Sequence, residues 1–288
     1  MTYPQSLRLE LLKLGATPTG NAEWDKEVLH TLRNGSSNQI AAITSFEKLV
    51  KRATDDIIKS KSYYPDLSDP VVFEAHMKFL MFIANDIVLA PQRRKFDVDD
   101  NNREEIRFLL YYFNDCPLAE EVFPDRGYKL HKNILLYGGV GVGKTMMMQI
   151  FSEYLKRNGN PRFFHNVSVT QMVNYNSVYN NIDKFLYNEK EGRGGFQGQP
   201  VNLCLNDIGV DTRPFYGTDT QTTVSDFLHA RNEIWANFSE YDRKFAHLTT
   251  NLTIDQLKKK FSHKDEYGRV VDRFKTYNAI PVKGQSRR

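Results

Sequence analysis

The chain has 288 residues, a formal net charge of +4, and only two cysteines, Cys116 and Cys204. That length allows one large or two modest domains with a sizeable core. Two cysteines exclude a disulfide framework, and Cys204, inside an apolar run, reads as a buried reduced thiol. The start Met1-Thr-Tyr-Pro-Gln lacks the basic and apolar regions of a secretory leader, and no apolar run approaches the ~18 residues of a membrane helix. These features describe a soluble, cytoplasmic protein. Its small positive charge permits nucleic-acid contact without demanding it.

Residues 1–114 read as a helical N-terminal domain. Ile43, Phe46, Leu49, Val50, Ala53 and Ile57 recur at helical spacing. Val72, Phe73, Met77, Leu80, Met81, Ala84, Ile87 and Val88 do so again, and Phe79, Phe82 and Ile83 widen that apolar face. The face is wide enough to serve as core on one side and as a partner surface on the other. Pro91, the basic patch Arg93-Arg94-Lys95 and a polar link over 97–102 follow, then a helix over Asn102–Phe113. In 115–288 the pattern changes. Short apolar runs at Ile134–Tyr137, Arg162–Val167, Val201–Leu205, Phe245–Thr249 and Ala279–Val282 alternate with helical stretches. This alternation predicts an α/β domain with a largely parallel sheet flanked by helices.

The first of these runs leads into the most specific motif in the chain. Gly138, Gly143, Lys144 and Thr145 satisfy G-x-x-x-x-G-K-[ST] between a buried strand and a helix over Thr145–Arg157. Such a loop turns backbone N–H groups toward phosphate oxygens, and the helix N-terminus adds positive partial charge. The nucleotide-binding candidates are therefore Gly138, Gly139, Val140, Gly141, Val142, Gly143, Lys144, Thr145 and Met146. Lys144 would neutralise the β- and γ-phosphates of ATP, and the Thr145 hydroxyl would bind Mg²⁺.

The run at Val201 ends in Asn206-Asp207-Ile208-Gly209, where P-loop ATPases usually carry two acids. The first acid helps to hold Mg²⁺; the second orients the attacking water. If Asn206 takes the first place, Asp207 stands at the water-activating position. If Asp207 takes it, Ile208 follows and no base is present there. The first register is preferred, because Leu203-Cys-Leu205 then ends the buried strand. Asn206, Asp207 and Thr145 are thus the metal candidates, with Asn206 lacking the charge that strengthens such bonds. Asn251, at the end of the run from Phe245, would stand at the carboxyl edge of the sheet near the γ-phosphate. Thr253 is placed to cap a helix whose Ile254, Leu257 and Phe261 share one face. Arg269 and Arg273 are four apart on one helix face, which spacing alone leaves open as a solvated surface.

Together, Gly138–Thr145, Asn206–Gly209, Thr249–Thr253, Gly268–Arg273 and Gly284-Gln-Ser-Arg287 resemble the AAA+ ATPases of the DnaC/IstB type, most closely the DnaC-like loaders of replicative helicases. The resemblance runs from about Leu130 to the end of the chain. It implies an AAA+ P-loop ATPase domain without a C-terminal helical lid. It also implies catalytic roles for Asp207, Asn251 as sensor 1, and Arg273 as an arginine finger offered to a neighbouring subunit, with Arg269 as its nucleotide-side companion. The cofactors implied are ATP and Mg²⁺. The partners implied are a DnaB-type replicative helicase gripped by the N-terminal helices, single-stranded DNA, and further copies of the chain. In this family an insertion before the acidic strand touches DNA. Residues 169–199 occupy that place, with Gln171, Asn174, Tyr175, Tyr179, Lys184, Tyr187, Lys190 and Arg193, although the same segment also suits a polar surface loop. An IstB-like transposition helper and a weakly hydrolysing nucleotide-dependent binding module are the alternatives, and a small-molecule kinase is more distant.

Overall fold

The computed structural model describes residues 4–16, 18–19, 21–45, 64–188, 198–211, 219–237, 244–262 and 268–286. The chain divides into two compact units, 1–62 and 63–288. In the first, helices α1 (Gln5–Lys13) and α2 (Ala22–Asn34) close on each other through Leu7, Leu11, Ala16, Val28 and Leu29. The Asn21 side chain accepts the N–H groups of Glu23 and Trp24 at the start of α2. Residues 37–45 are helical. Phe46, Leu49, Val50, Ala53 and Ile57 lie outside the described residues.

The second unit holds a five-stranded, wholly parallel sheet: β1 (Asn133–Tyr137), β2 (His165–Ser168), β3 (Leu203–Ile208), β4 (Ala246–Thr250) and β5 (Tyr277–Pro281). Their order is β2-β3-β4-β1-β5. Parallel strands need covering on both faces, which is why they read as continuous apolar runs. The alternation of β1 makes the two faces explicit. Ile134 and Leu136 join one core, while Leu135 joins the other.

The first face is covered by α3 (Pro70–Phe82), a turn of wider π-helix over Ile83–Val88, α4 (Arg103–Phe113), α5 (Ala119–Val122) and α6 (Lys144–Arg157). The second is covered by α7 (Val169–Tyr179), α8 (Thr220–Asn237), α9 (Ile254–Ser262) and the short α10 (Arg269–Arg273). Thr253 caps α9 as its sequence position predicts: its Oγ1 accepts the Gln256 N–H at 3.3 Å, while Gln256 Oε1 accepts the Thr253 N–H at 2.9 Å. Leu257 and Phe261 are buried and Ile254 is half-buried.

The domain boundary differs from the one read near Asn114. The break falls after Ser62, and residues 64–113 belong to the sheet domain. His76 on α3 meets the Tyr154 hydroxyl of α6 at 2.7 Å, and Asn114 donates to the same hydroxyl at 3.1 Å. Leu80, Ile83, Leu89, Phe96 and nearly the whole of α4 are buried in the core that also holds Met147, Ile150 and Phe151. On α3 itself only Leu80 is fully buried; Val72, Phe73, Met77, Phe79 and Met81 pack half-buried against this core, and Val71 and Phe82 are exposed. Helical composition alone cannot distinguish a separate helical domain from helices layered on a distant sheet.

On the other face, Arg231 of α8 is fully buried. It donates to three backbone carbonyls: Leu186 at 3.3 Å, Val201 at 2.8 Å and Phe245 at 2.8 Å. Burial pulls its pKa down to about 10, so the guanidinium remains charged near neutrality. Just after Leu186, Tyr187 forms an isolated antiparallel bridge with Pro200, and Asn188 N–H donates to Gln199 O at 2.8 Å.

Candidate nucleotide site

Because every strand is parallel, the loops leaving β1, β3 and β4 emerge at the same edge of the sheet. Open α/β sheets bind ligands in a crevice at this carboxyl edge. Here β1 lies between β4 and β5, so the glycine loop after β1 neighbours Asn251 after β4, with the end of β3 next along.

Two glycines of the loop have clear reasons to be there. A Cβ on Gly138 would run into the carbonyl oxygen of Val282, and one on Gly141 (φ 83°) would meet the Ser286 hydroxyl. Gly143 (φ 101°) is the N-cap of α6 in a left-handed conformation that favours glycine. The loop thus bends tightly and presents backbone to the cleft. Lys144 follows as the first residue of α6 and is buried. Its Nζ donates to Gly138 O at 2.8 Å, Gly139 O at 2.7 Å and Asn251 Oδ1 at 2.8 Å. The amine therefore already joins the phosphate loop to the end of β4.

Gly141, Gly143, Lys144, Thr145, Met146, Asp207 and Asn251 all line one cleft. Of the remaining loop residues, Val140 is exposed at the tip, whereas Val142 is buried in the core beneath. β3 runs on to Ile208, past the Leu205 end on which the preferred register rested, and its last residues are irregular. Pairing with β4 shifts between Leu205 and Ile208, and Asp207 takes φ 64°, so one extra residue is accommodated there. The Asp207 N–H donates to Thr249 Oγ1 at 3.0 Å, which fixes the bulge, and Asp207 lines the cleft.

Asn206 has other partners. It is 4% exposed; its Nδ2 donates to Asn166 Oδ1 at 3.2 Å and its Oδ1 accepts the Thr249 hydroxyl at 3.2 Å. The amide links β2, β3 and β4 beneath the cleft, and Asn206 is not among the cleft-lining residues. An aspartate there would lose the donated bond and bury a charge against the Asn166 oxygen. We expect Asn206→Asp to destabilise the fold by about 1–3 kcal/mol. A thermal melt at or above the wild-type temperature, accompanied by tighter Mg²⁺ binding, would show instead that this side chain turns to the metal.

The chemistry of the donors suits a nucleotide with Mg²⁺. Mg²⁺ commonly takes one or two carboxylates together with substrate phosphates and water. The Thr145 hydroxyl and the Asp207 carboxylate are available for this among the cleft residues. No group of three or more His, Cys, Asp or Glu side chains suited to holding a metal occurs among the described residues, so an all-protein metal cage is not what this cleft offers.

Arg269 and Arg273 lie apart from this cleft, on α10. Arg269 is exposed, and Arg273 is half-buried with its Nε buried and lacking a hydrogen-bond partner among the described residues. In the excursion after β2, Gln171 is taken up by a capping box with Ser168 at the start of α7. Further along, the Tyr175 and Tyr179 rings lie 4.4 Å apart and Lys184 Nζ lies 5.1 Å from the centre of the Tyr175 ring. Tyr179 is 61% exposed and its neighbour Val178 is also open to solvent. Lys190 and Arg193 fall outside the described residues, as does Arg287.

The cleft also contains residues that motif reading did not assign to it: Leu89, Gln92, Arg94 and Gln149. Gln149 follows Thr145 by one helical turn, a spacing visible in the sequence. Arg94 had only the signal of a basic triplet.

No protein-family model matches the chain, and no curated protein matches it. Among solved structures, the chain is similar to AMPPCP-bound DnaA from Aquifex aeolicus, with 18% identity, a TM-score of 0.40, and coverage of 65% of this chain and 48% of that one. It is likewise similar to domain III of the Thermotoga maritima replication initiation protein DnaA, with 18% identity, a TM-score of 0.39, and coverage of 65% of each chain. The similarity thus spans about half of the first DnaA chain and just under two thirds of the second.

Proposed function

We propose that this chain is an ATP-dependent ATPase of the AAA+ type that delivers a ring-shaped replicative helicase onto single-stranded DNA. The observation that supports it best is the convergence of Lys144, Thr145, Asp207 and Asn251 on one cleft at the carboxyl edge of a parallel sheet. Those four side chains come from the carboxyl ends of three strands: the start of α6 after β1, the end of β3, and the residue after β4. Lys144 supplies a cation for the β/γ-phosphates and Thr145 a hydroxyl for Mg²⁺, while Asp207 suits the orienting of water and Asn251 places an amide beside the terminal phosphate. Arg273 is half-buried on α10 and does not line the cleft, and its role as a finger offered to a neighbouring subunit comes from the resemblance. The tilted Tyr175–Tyr179 pair with Lys184 suits contact with unpaired bases and phosphates. The helicase itself comes from the resemblance to DnaC-like loaders.

One observation favours a second reading, a nucleotide-dependent switch with slow hydrolysis. Asn206 is committed to Asn166 and Thr249, leaving Asp207 as the carboxylate of the cleft. Both readings meet in one set of measurements. ATP turnover is measured with and without single-stranded DNA, and the chain is passed over a sizing column with its host's replicative helicase. We expect co-elution with the helicase and DNA-stimulated turnover, and loss of turnover by 100-fold or more in Asp207→Asn with ATP binding retained, on the order seen when a positioned base is removed. ATP binding with no turnover in the wild type favours the switch. No co-elution under any nucleotide condition removes the helicase from the proposal.

A further inference from the structure

We propose that Arg94 is a binding residue for the terminal phosphate, supplied in the same chain from the segment before the sheet. This rests on the nucleotide-cleft reading and deepens it. Arg93, Arg94 and Lys95 are consecutive, yet the fold treats them differently. Arg93 and Lys95 are exposed, whereas Arg94 is half-buried and lines the cleft with Lys144, Thr145, Asp207 and Asn251.

The local backbone explains this selection. After the π-turn, the 3₁₀ turn Ala90–Gln92 is closed by Arg93 in a left-handed conformation at φ 53°. Arg93 N–H donates to Ala90 O at 3.0 Å and Arg94 N–H to Leu89 O at 3.3 Å, so the chain reverses at this point. The span is held at both ends. Leu89 is buried in the core, and Phe96 is buried with its N–H on Asn85 Oδ1 at 2.7 Å and its carbonyl on Asn85 Nδ2 at 3.1 Å. Arg94 therefore projects from a short, doubly anchored turn. Gln92, also at the cleft, accepts a long 3.5 Å bond from Arg94 Nη1.

The chemistry then points to phosphate. A guanidinium is permanently charged and matches phosphate oxygens in a bidentate fork. Lys144, Thr145, Asp207 and Asn251 are the groups that handle the γ-phosphate and its metal, and Arg94 shares their cleft. A cation here would distinguish ATP from ADP.

The test is calorimetric titration of the full chain with ATP and with ADP, for wild type, Arg94→Ala, Arg94→Lys and Lys144→Ala, each checked by a ligand-free thermal melt. We expect Arg94→Ala to weaken ATP on the order of 10- to 100-fold while ADP stays within about 2-fold, and Arg94→Lys to recover part of the loss. Lys144→Ala should weaken both nucleotides. Equal weakening of ATP and ADP by Arg94→Ala, or no change in either, overturns the assignment while leaving the cleft intact. A melt lowered in Arg94→Ala moves the decision to Arg94→Gln, which removes the charge and keeps most of the length: ATP and ADP affinities within about 2-fold of wild type there overturn the assignment. A wild type that binds neither nucleotide ends the nucleotide reading itself, and this assignment with it.

Discussion

A chain beginning at Tyr63 is expected to fold cooperatively and bind nucleotide, whereas one beginning at Asp115 is expected not to fold. The second truncation removes Leu80, Ile83, Leu89, Phe96, Ile106, Phe108, Leu109, Leu110, Tyr112 and Phe113, all buried in the core over the α6 face of the sheet. Burying one such side chain contributes about 1.5–3 kcal/mol. Half of these residues already match or exceed the ~5–15 kcal/mol of net stability typical of a domain. Polar ties go with them: His76 on Tyr154, the Tyr112 hydroxyl on Lys132 O at 2.6 Å, and Asn160 Nδ2 on Phe113 O at 3.1 Å. The break after Ser62 cuts none of these. Circular dichroism melts and sizing chromatography of 63–288 and 115–288 decide it. A cooperative melt from 115–288 would return the boundary to Asn114.

Lys144→Ala is expected to weaken ATP by 100-fold or more in a protein that remains folded. The amine is a charge-assisted donor aimed into the loop, and such bonds contribute about 1.5–3 kcal/mol each. A lysine reaching two phosphates would forfeit two of them. The fold should tolerate the change, because the acceptors of Nζ are the Gly138 and Gly139 carbonyls and the Asn251 amide, all at the half-open edge of the cleft and within reach of water. Titration calorimetry together with a ligand-free melt separates the two effects. Unchanged ATP affinity in a folded variant would mean that the glycine loop serves as a turn only.

The strands and the glycine loop were legible for separate reasons. Parallel strands buried on both faces are short unbroken apolar runs, and the chemistry of phosphate binding requires glycine at fixed offsets. All five runs became strands, with ends shifted by a few residues; the run at Arg162, for example, pairs only from His165. What stayed hidden depended on contacts far apart in sequence. The helicity of 70–113 was apparent, but His76 finds Tyr154 seventy-eight positions away, and no periodicity announces that. The orientation of Asn206 follows from a bulge whose cause is the Thr249 hydroxyl on the next strand. Arg94 reached the cleft through a left-handed turn at Arg93, a residue with no glycine or asparagine signal to mark it.

The buried Arg231 carries a consequence for how the cleft is held. One guanidinium grips the outgoing stem of the excursion at Leu186, the returning stem at Val201, and the entry to β4 at Phe245. The stems are zipped once more by the Asn188–Gln199 hydrogen bond. The stems at Leu186–Asn188 and Gln199–Val201 are thus held by a peg in the interior. The same cation ties both stems to the entry of β4, and so helps to set the spacing of β3 and β4 on which the seat of Asp207 and Asn251 depends.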